Sequence, residues 1–201
     1  MSASVKSIKI EQPYSFVFTD DNLKQAEKII ARYPAGRQAS AVMPLLTIAQ
    51  KQNHNWLPKV AMDYIAEMLS MPYMRVYEVA SFYTMYNLAP VGKHMVEICT
   101  TTPCWLRGSS EIVSSCEKHL GIKIGETTTD GVFTLKEAEC LGACVNAPML
   151  QIGDNYYEDL TPENVVGILE ELKQGKKPKA GSQIGRVSSE PKGGATTLSN
   201  I

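Results

Sequence analysis

Residues 94–104 read HMVEICTTTPC and residues 139–152 read ECLGACVNAPMLQI, and the four cysteines in these two stretches decide the fold. His94 to Ile98 alternates enough for a β-strand that delivers Cys99 at its end. Met149 to Ile152 is a second strand, so Cys140 and Cys144 fall in the segment leading into it. Both cysteine pairs, Cys99 with Cys104 and Cys140 with Cys144, are therefore expected on loops. A small inorganic cluster needs four thiolates converging on two adjacent irons, and two loops side by side supply two per iron. Pro103 stiffens the first loop, while Gly142 and Ala143 let backbone N–H groups come close to sulfur in the second. Further N–H donors are expected along 104–106 and 143–145. A helix starting near residues 107–110 turns its positive end toward Cys104, which favours a thiolate there. Zinc bound by four cysteines competes with this reading, although zinc knuckles usually run C-x2-C to C-x4-C. A redox dithiol is disfavoured by the missing C-x2-C spacing.

Outward from this stretch, Ser109 to Leu120 reads as a helix closed by Gly121, and Val132 to Leu135 as a β-branched and aromatic strand. Gly153-Asp154-Asn155 turns the chain into Tyr156-Tyr157. Thr161 caps a last helix with Pro162 at its first position, its apolar stripe being Val165, Ile168, Leu169 and Leu172, and Gly175 stops it. The order strand, helix, strand, strand, helix makes a small α/β unit over 92–175. Before it, four amphipathic helices are expected. Asp20 or Asp21 caps the first, Ser40 caps the second, Pro58 and Pro72 open the third and fourth, and together they form a small bundle over 1–91. From Lys176 to the end the chain is polar and rich in Gly, Ser, Lys and Thr, so 176–201 is read as an extended, mobile tail. The fold class is thus α+β, a helical bundle followed by an α/β domain.

Composition excludes several functions. Hydrophobic residues make up 44% of the 201 and charged residues 20%, enough apolar material for a core. Lys plus Arg number 20 against 21 Asp plus Glu, which gives none of the basic surplus expected of a nucleic-acid binder. No run approaches the ~18 apolar residues of a membrane span, and MSASVKSIKIEQPYSF has neither a signal h-region nor an Arg-rich transit pattern. Neither G-x-G-x-x-G nor a Walker A loop is present, so nucleotide binding by this chain alone is not expected. The fifth cysteine, Cys116, lies mid-helix and reads as a buried apolar residue. His54, His94 and His119 stand too far from the cysteines for a Rieske pattern and read as ordinary structural or surface residues. The run MPYMRVYEVASFYTMYN at 71–87 is read as core or partner interface.

VYEVASFYTMYNLAPVGKHMVEICTTTPCWLRG followed by ECLGACVNAPMLQI closely resembles the 24-kDa-type [2Fe–2S] subunits of respiratory complex I, NADH:quinone oxidoreductase. The resemblance runs from about Pro34 to Lys173, and the tail GRVSSEPKGGATTL is similar to the extended C-terminus of bacterial and mitochondrial members. It implies that Cys99, Cys104, Cys140 and Cys144 ligate one [2Fe–2S] cluster, that Cys116 does not, and that the domain from about Gly92 to Gly175 is thioredoxin-like. It further implies an NADH- and FMN-binding flavoprotein partner that carries the FMN and NADH sites, and other peripheral-arm subunits beside it. The cluster would exchange single electrons with that FMN as a side branch of the relay to quinone. The implied location is the cytoplasmic face of a bacterial inner membrane, or the matrix side in a mitochondrion, without direct membrane insertion. Tyr73 to Tyr86 and the tail after Lys176 are the expected docking surfaces. Two alternatives stand beside this reading: a diaphorase-type subunit of an NAD-linked formate dehydrogenase or hydrogenase, and a four-cysteine zinc interaction module.

Overall fold

Helical periodicity before Val91 gives four helices in the computed structural model, which describes residues 11–194 and 197: α1 (Asp20–Ile30), α2 (Val42–Gln52), α3 (Lys59–Met68) and α4 (Tyr73–Phe82). Thr19, not Asp20 or Asp21, caps α1, its hydroxyl accepting from the Asn22 N–H at 3.4 Å. The two aspartates occupy the first turn, where they offset the helix dipole. Ser40 does not cap α2 either, because a 3-10 turn over Gln38–Ala41 absorbs it. The helices bury Leu45, Leu46, Ala49, Ile65, Val76 and Ala80 in a common core. Phe16 and Phe18 of the leading segment meet Tyr64 edge to face at 5.8 and 5.4 Å. Tyr86 closes the unit by donating its hydroxyl to the Met43 carbonyl at 2.8 Å.

A second compact unit begins at Gly92. Its five strands are β1 (His94–Cys99), β2 (Phe133–Ala138), β3 (Leu150–Ile152), β4 (Asn155–Glu158) and β5 (Gly181–Ser182), in the order β2-β1-β3-β4-β5. β1 and β2 run parallel, so a crossover must join them; α5 (Thr102–Leu106) and α6 (Ser109–Leu120) supply it. β3 returns antiparallel to β1 and turns through Gly153 into β4. Val96, Ile98, Leu135 and Leu150 point to one face, which α6 and α7 (Pro162–Lys173) cover with Ile112, Cys116, Val165, Leu169 and Leu172. On the opposite face Glu97 and Lys136, paired in register, form an ion pair at 3.4 Å. α7 opens with a capping box in which Thr161 and Asn164 satisfy each other's backbone N–H groups. Gly92 lies so close to β2 that a Cβ there would meet the Phe133 carbonyl carbon at 2.6 Å.

The segment after Lys176 corrects the expectation of an extended tail. Gly181 and Ser182 pair parallel with Tyr157 and Glu158 as β5, and Arg186 forms a buried ion pair with Asp159 at 2.8 Å. Polar composition concealed this order, because strand pairing by a Gly-Ser dipeptide uses backbone alone. Residues 195–196 and 198–201 of that segment lie outside the described residues.

Candidate metal centre

Sheet register brings the two cysteine pairs together. Cys99 is the last residue of β1 and lies opposite Ala138 on β2, two residues before Cys140. Its N–H donates to the Met149 carbonyl at 3.2 Å, which ties it also to the segment that leaves Cys144. The expectation of two loops needs correction, because only Cys140 lies in irregular chain. Cys104 sits within α5, where Pro103 starts the helix instead of stiffening a loop. Cys144 opens a 3-10 turn that ends at Asn146. The helix expected from 107–110 is α6, which begins at Ser109 after Gly108 in a left-handed conformation.

The four thiols form two contrasting pairs. Cys99 and Cys104 are 2% and 1% exposed and hydrogen-bonded to each other. Cys140 and Cys144 are exposed, with their sulfurs 3.4 Å apart. Thr101 stands between the pairs: its hydroxyl lies 3.3 Å from the Cys99 sulfur and also bonds Cys140. Backbone N–H groups point at the sulfurs from Thr101 and Leu141 toward Cys99, from Met149 toward Cys104 and from Gly142 toward Cys140. Of the donors expected along 104–106 and 143–145, the N–H of Cys144 itself bonds a site sulfur. Gly142 adopts φ +88°, open to glycine and costly for other residues, and this turns its N–H back onto the loop.

These contacts divide the thiols chemically. Burial pushes the Cys99 thiol up, but donation by Thr101 and Leu141 outweighs it and holds the group below its ordinary value. Burial, reinforced by the Cys99 hydrogen bond, pushes Cys104 up to about 12. The Gly142 N–H lowers Cys140, whereas the hydrogen bond with Cys140 raises Cys144. Among the described residues, no three His, Cys, Asp or Glu side chains are grouped to hold a single ion. The sulfurs are disposed as two pairs, and two pairs of thiolates are the donor set of a binuclear iron–sulfur cluster. N–H groups directed at sulfur are the second feature such a cluster uses, so the residues fit it.

The remaining candidates are placed elsewhere. Cys116 faces the core between α6 and α7, and burial pushes its thiol up to about 12. His94 lies tilted against Phe133, and His119 pairs with Glu170 at 2.9 Å. His54 occupies the turn after α2. Sequence reading missed Thr101, Tyr156 and Arg186. The Tyr156 hydroxyl donates to the Leu141 carbonyl at 2.7 Å and so holds the second cysteine loop. Arg186 donates to the Val145 carbonyl at 2.8 Å. The available signal was that Arg186 is the only arginine in a segment otherwise basic through lysine.

A mixed sheet crossed by α6 and α7, with four paired thiols at one end, defines a thioredoxin-like iron–sulfur domain. Residues 26–173 match the family of thioredoxin-like [2Fe-2S] ferredoxins, and the chain belongs to that family. Its cofactor is accordingly one [2Fe–2S] cluster. A subunit of the NADH-quinone oxidoreductase of Rickettsia bellii is 58% identical over 159 residues, covering 79% of this chain and 95% of the relative. The mitochondrial NADH dehydrogenase [ubiquinone] flavoprotein 2 of Dictyostelium discoideum is 51% identical, over 91% of this chain and 74% of its own. The fold also resembles an NAD+-reducing [NiFe]-hydrogenase in the H2-reduced state, with TM-score 0.58 and 20% identity over 67% of this chain and 23% of that one.

Proposed function

We propose that this chain is the electron-transfer subunit of an NADH:quinone oxidoreductase and that Cys99, Cys104, Cys140 and Cys144 hold its cluster. The observation that carries the assignment is the convergence of two thiol pairs, with five backbone N–H groups on their sulfurs. When bound, the cluster supplies reversible one-electron storage. The chain contributes four ligands and hydrogen-bond donors whose dipoles offset added negative charge on sulfur. No proton is transferred, and no acid–base residue is assigned. The zinc-module alternative does not agree with membership of a [2Fe-2S] family. Relatives at 51–58% identity that are named as parts of NADH dehydrogenases favour this reading over a formate dehydrogenase or hydrogenase diaphorase.

The partner on this reading is an NADH- and FMN-binding flavoprotein subunit, accompanied by other peripheral-arm subunits. Trp105, Leu106 and Val145, next in sequence to Cys104 and Cys144, are exposed apolar side chains that support a docking rim beside the open thiol pair. On the helical unit, α4 exposes Tyr73, Met74, Tyr77 and Phe82 while burying Val76 and Ala80, which supports a second contact. Among the described residues no helix is long and apolar enough to cross a membrane. The reading places the chain in a peripheral arm, on the cytoplasmic face in a bacterium or the matrix side in a mitochondrion.

The test is ligand substitution with metal analysis. Changing any of the four cysteines to Ala should abolish the visible absorbance and the EPR signal of the dithionite-reduced protein, together with iron and acid-labile sulfide. Cys116→Ala should retain all of them. Loss in Cys116→Ala, with retention in one of the four, overturns the ligand set.

A further inference from the structure

We propose that Arg186 is a positioning residue for the Cys144 turn, and that residues 181–190 form a strap holding that side of the metal centre in place. The inference rests on the reading that Cys144 is a ligand. The turn over Cys144–Asn146 is short and its Val145 side chain faces solvent, so little local packing fixes it. Its own backbone supplies an Asn146 N–H bond to the Ala143 carbonyl at 3.0 Å. The Ala147 N–H closes the turn on the Cys144 carbonyl at 3.4 Å, and further support comes from distant sequence. One terminal nitrogen of Arg186 donates to the Val145 carbonyl at 2.8 Å and to Asn146 Oδ1 at 2.7 Å. The same guanidinium grips Asp159 through both carboxylate oxygens, at 3.0 and 2.8 Å, and reaches the Glu190 carbonyl at 2.8 Å.

Asn146 is held from two further sides. Its amide donates to Glu158 at 2.6 Å and to the Ser188 carbonyl at 2.8 Å, and its carbonyl accepts from the Asp159 N–H at 2.8 Å. Asp159 itself sits at φ +54° and accepts from Ser182 of the strap. The Arg186 and Asp159 side chains are 8% and 9% exposed. A buried ion pair gives little net stability over apolar side chains of similar size. This fork does what an apolar pair cannot: it joins the turn after Cys144, the turn after β4 and the strap through one planar group. Captured by Arg186, the Val145 carbonyl is held, and the Val145–Asn146 peptide, the second after the ligand, keeps one orientation. That is the part played by residues that orient metal ligands from behind.

The holo protein with its full chain provides the test. Arg186→Gln should release iron to EDTA faster, by about the 10–100-fold that loss of a ligand's supporting group costs in metal affinity, and should shift the g-values of the reduced EPR spectrum. Arg186→Lys keeps the charge opposite Asp159 but not the fork, and should move both readouts in the same direction. Leu172→Ala, a cavity in the same domain core, controls for lost stability and should leave the g-values and the iron release as in the parent. Parental behaviour in both Arg186 variants overturns the proposal, and so does Leu172→Ala reproducing their release and spectrum. Retention of the cluster by Cys144→Ala would instead remove the reading beneath it, which separates the two failures.

Discussion

Thr101 is in hydrogen-bond contact with both thiol pairs, at 3.3 Å from Cys99 and bonded to Cys140. A hydrogen bond to a charged group is worth ~1.5–3 kcal/mol. Taking half of that as gained only on reduction, Thr101→Val lowers the midpoint potential by roughly 30–65 mV, at about 59 mV per tenfold for one electron. Redox titration followed by EPR checks it, with iron content unchanged. His94 gives a pH prediction. Burial, with Lys93 nearby, lowers its pKa, so the unfolded chain binds the proton more readily. Its contribution to stability is complete above about pH 6.5 and is lost as pH falls toward its folded value. Thermal unfolding from pH 7.5 to 5 should show that loss, and His94→Gln should reduce it. At this scale the grouping of the four cysteines and the burial of Cys116 were legible in spacing and flanking residues. Thr101, one of three consecutive threonines, was not, since only the register of β1 and β2 singles it out.

Periodicity and capping made most elements readable, and the misses have physical causes. Thr102–Leu106 became α5 because proline at a first turn fits a helix as well as it stiffens a loop. β5 was missed because Gly181 and Ser182 carry no side-chain signal and pair only through the backbone. Two element-scale changes test what holds the domain together. Gly92→Ala forces a methyl into the β2 backbone at 2.6 Å and strains the Gly92 N–H bond to Thr134, at 2.6 Å. A destabilisation of about 1–3 kcal/mol is expected, as for other overpacked sites. Thr161→Ala removes one half of the α7 capping box and should cost about 1 kcal/mol. Denaturant titration of the holo protein measures both.

Surfaces are the least legible level, because no sequence pattern distinguishes an apolar face awaiting a partner from one turned inward. The run at 71–87 contains both: Val76 and Ala80 are core, while Tyr77 and Phe82 are exposed. The Tyr77→Ser, Phe82→Ser double variant should fold normally and keep its cluster spectrum. It should bind the proposed flavoprotein partner at least about tenfold more weakly by titration, since buried aromatic anchors dominate interfaces. The strap alters how the C-terminal region must be tested. A cut after Gly175 removes β5 and Arg186 together and should alter the cluster spectrum, whereas a cut after Lys192 spares both and should leave it unchanged. The lopsided shielding of the sulfurs also governs how the purified protein ages. Peroxide reaches Cys140 and Cys144 first, and with their sulfurs 3.4 Å apart the earliest damage should be sulfenic acid followed by a bond between these two. Peptide mapping of a bleached sample would then find the other pair still reduced, and docking of a companion over the open side would lengthen its shelf life.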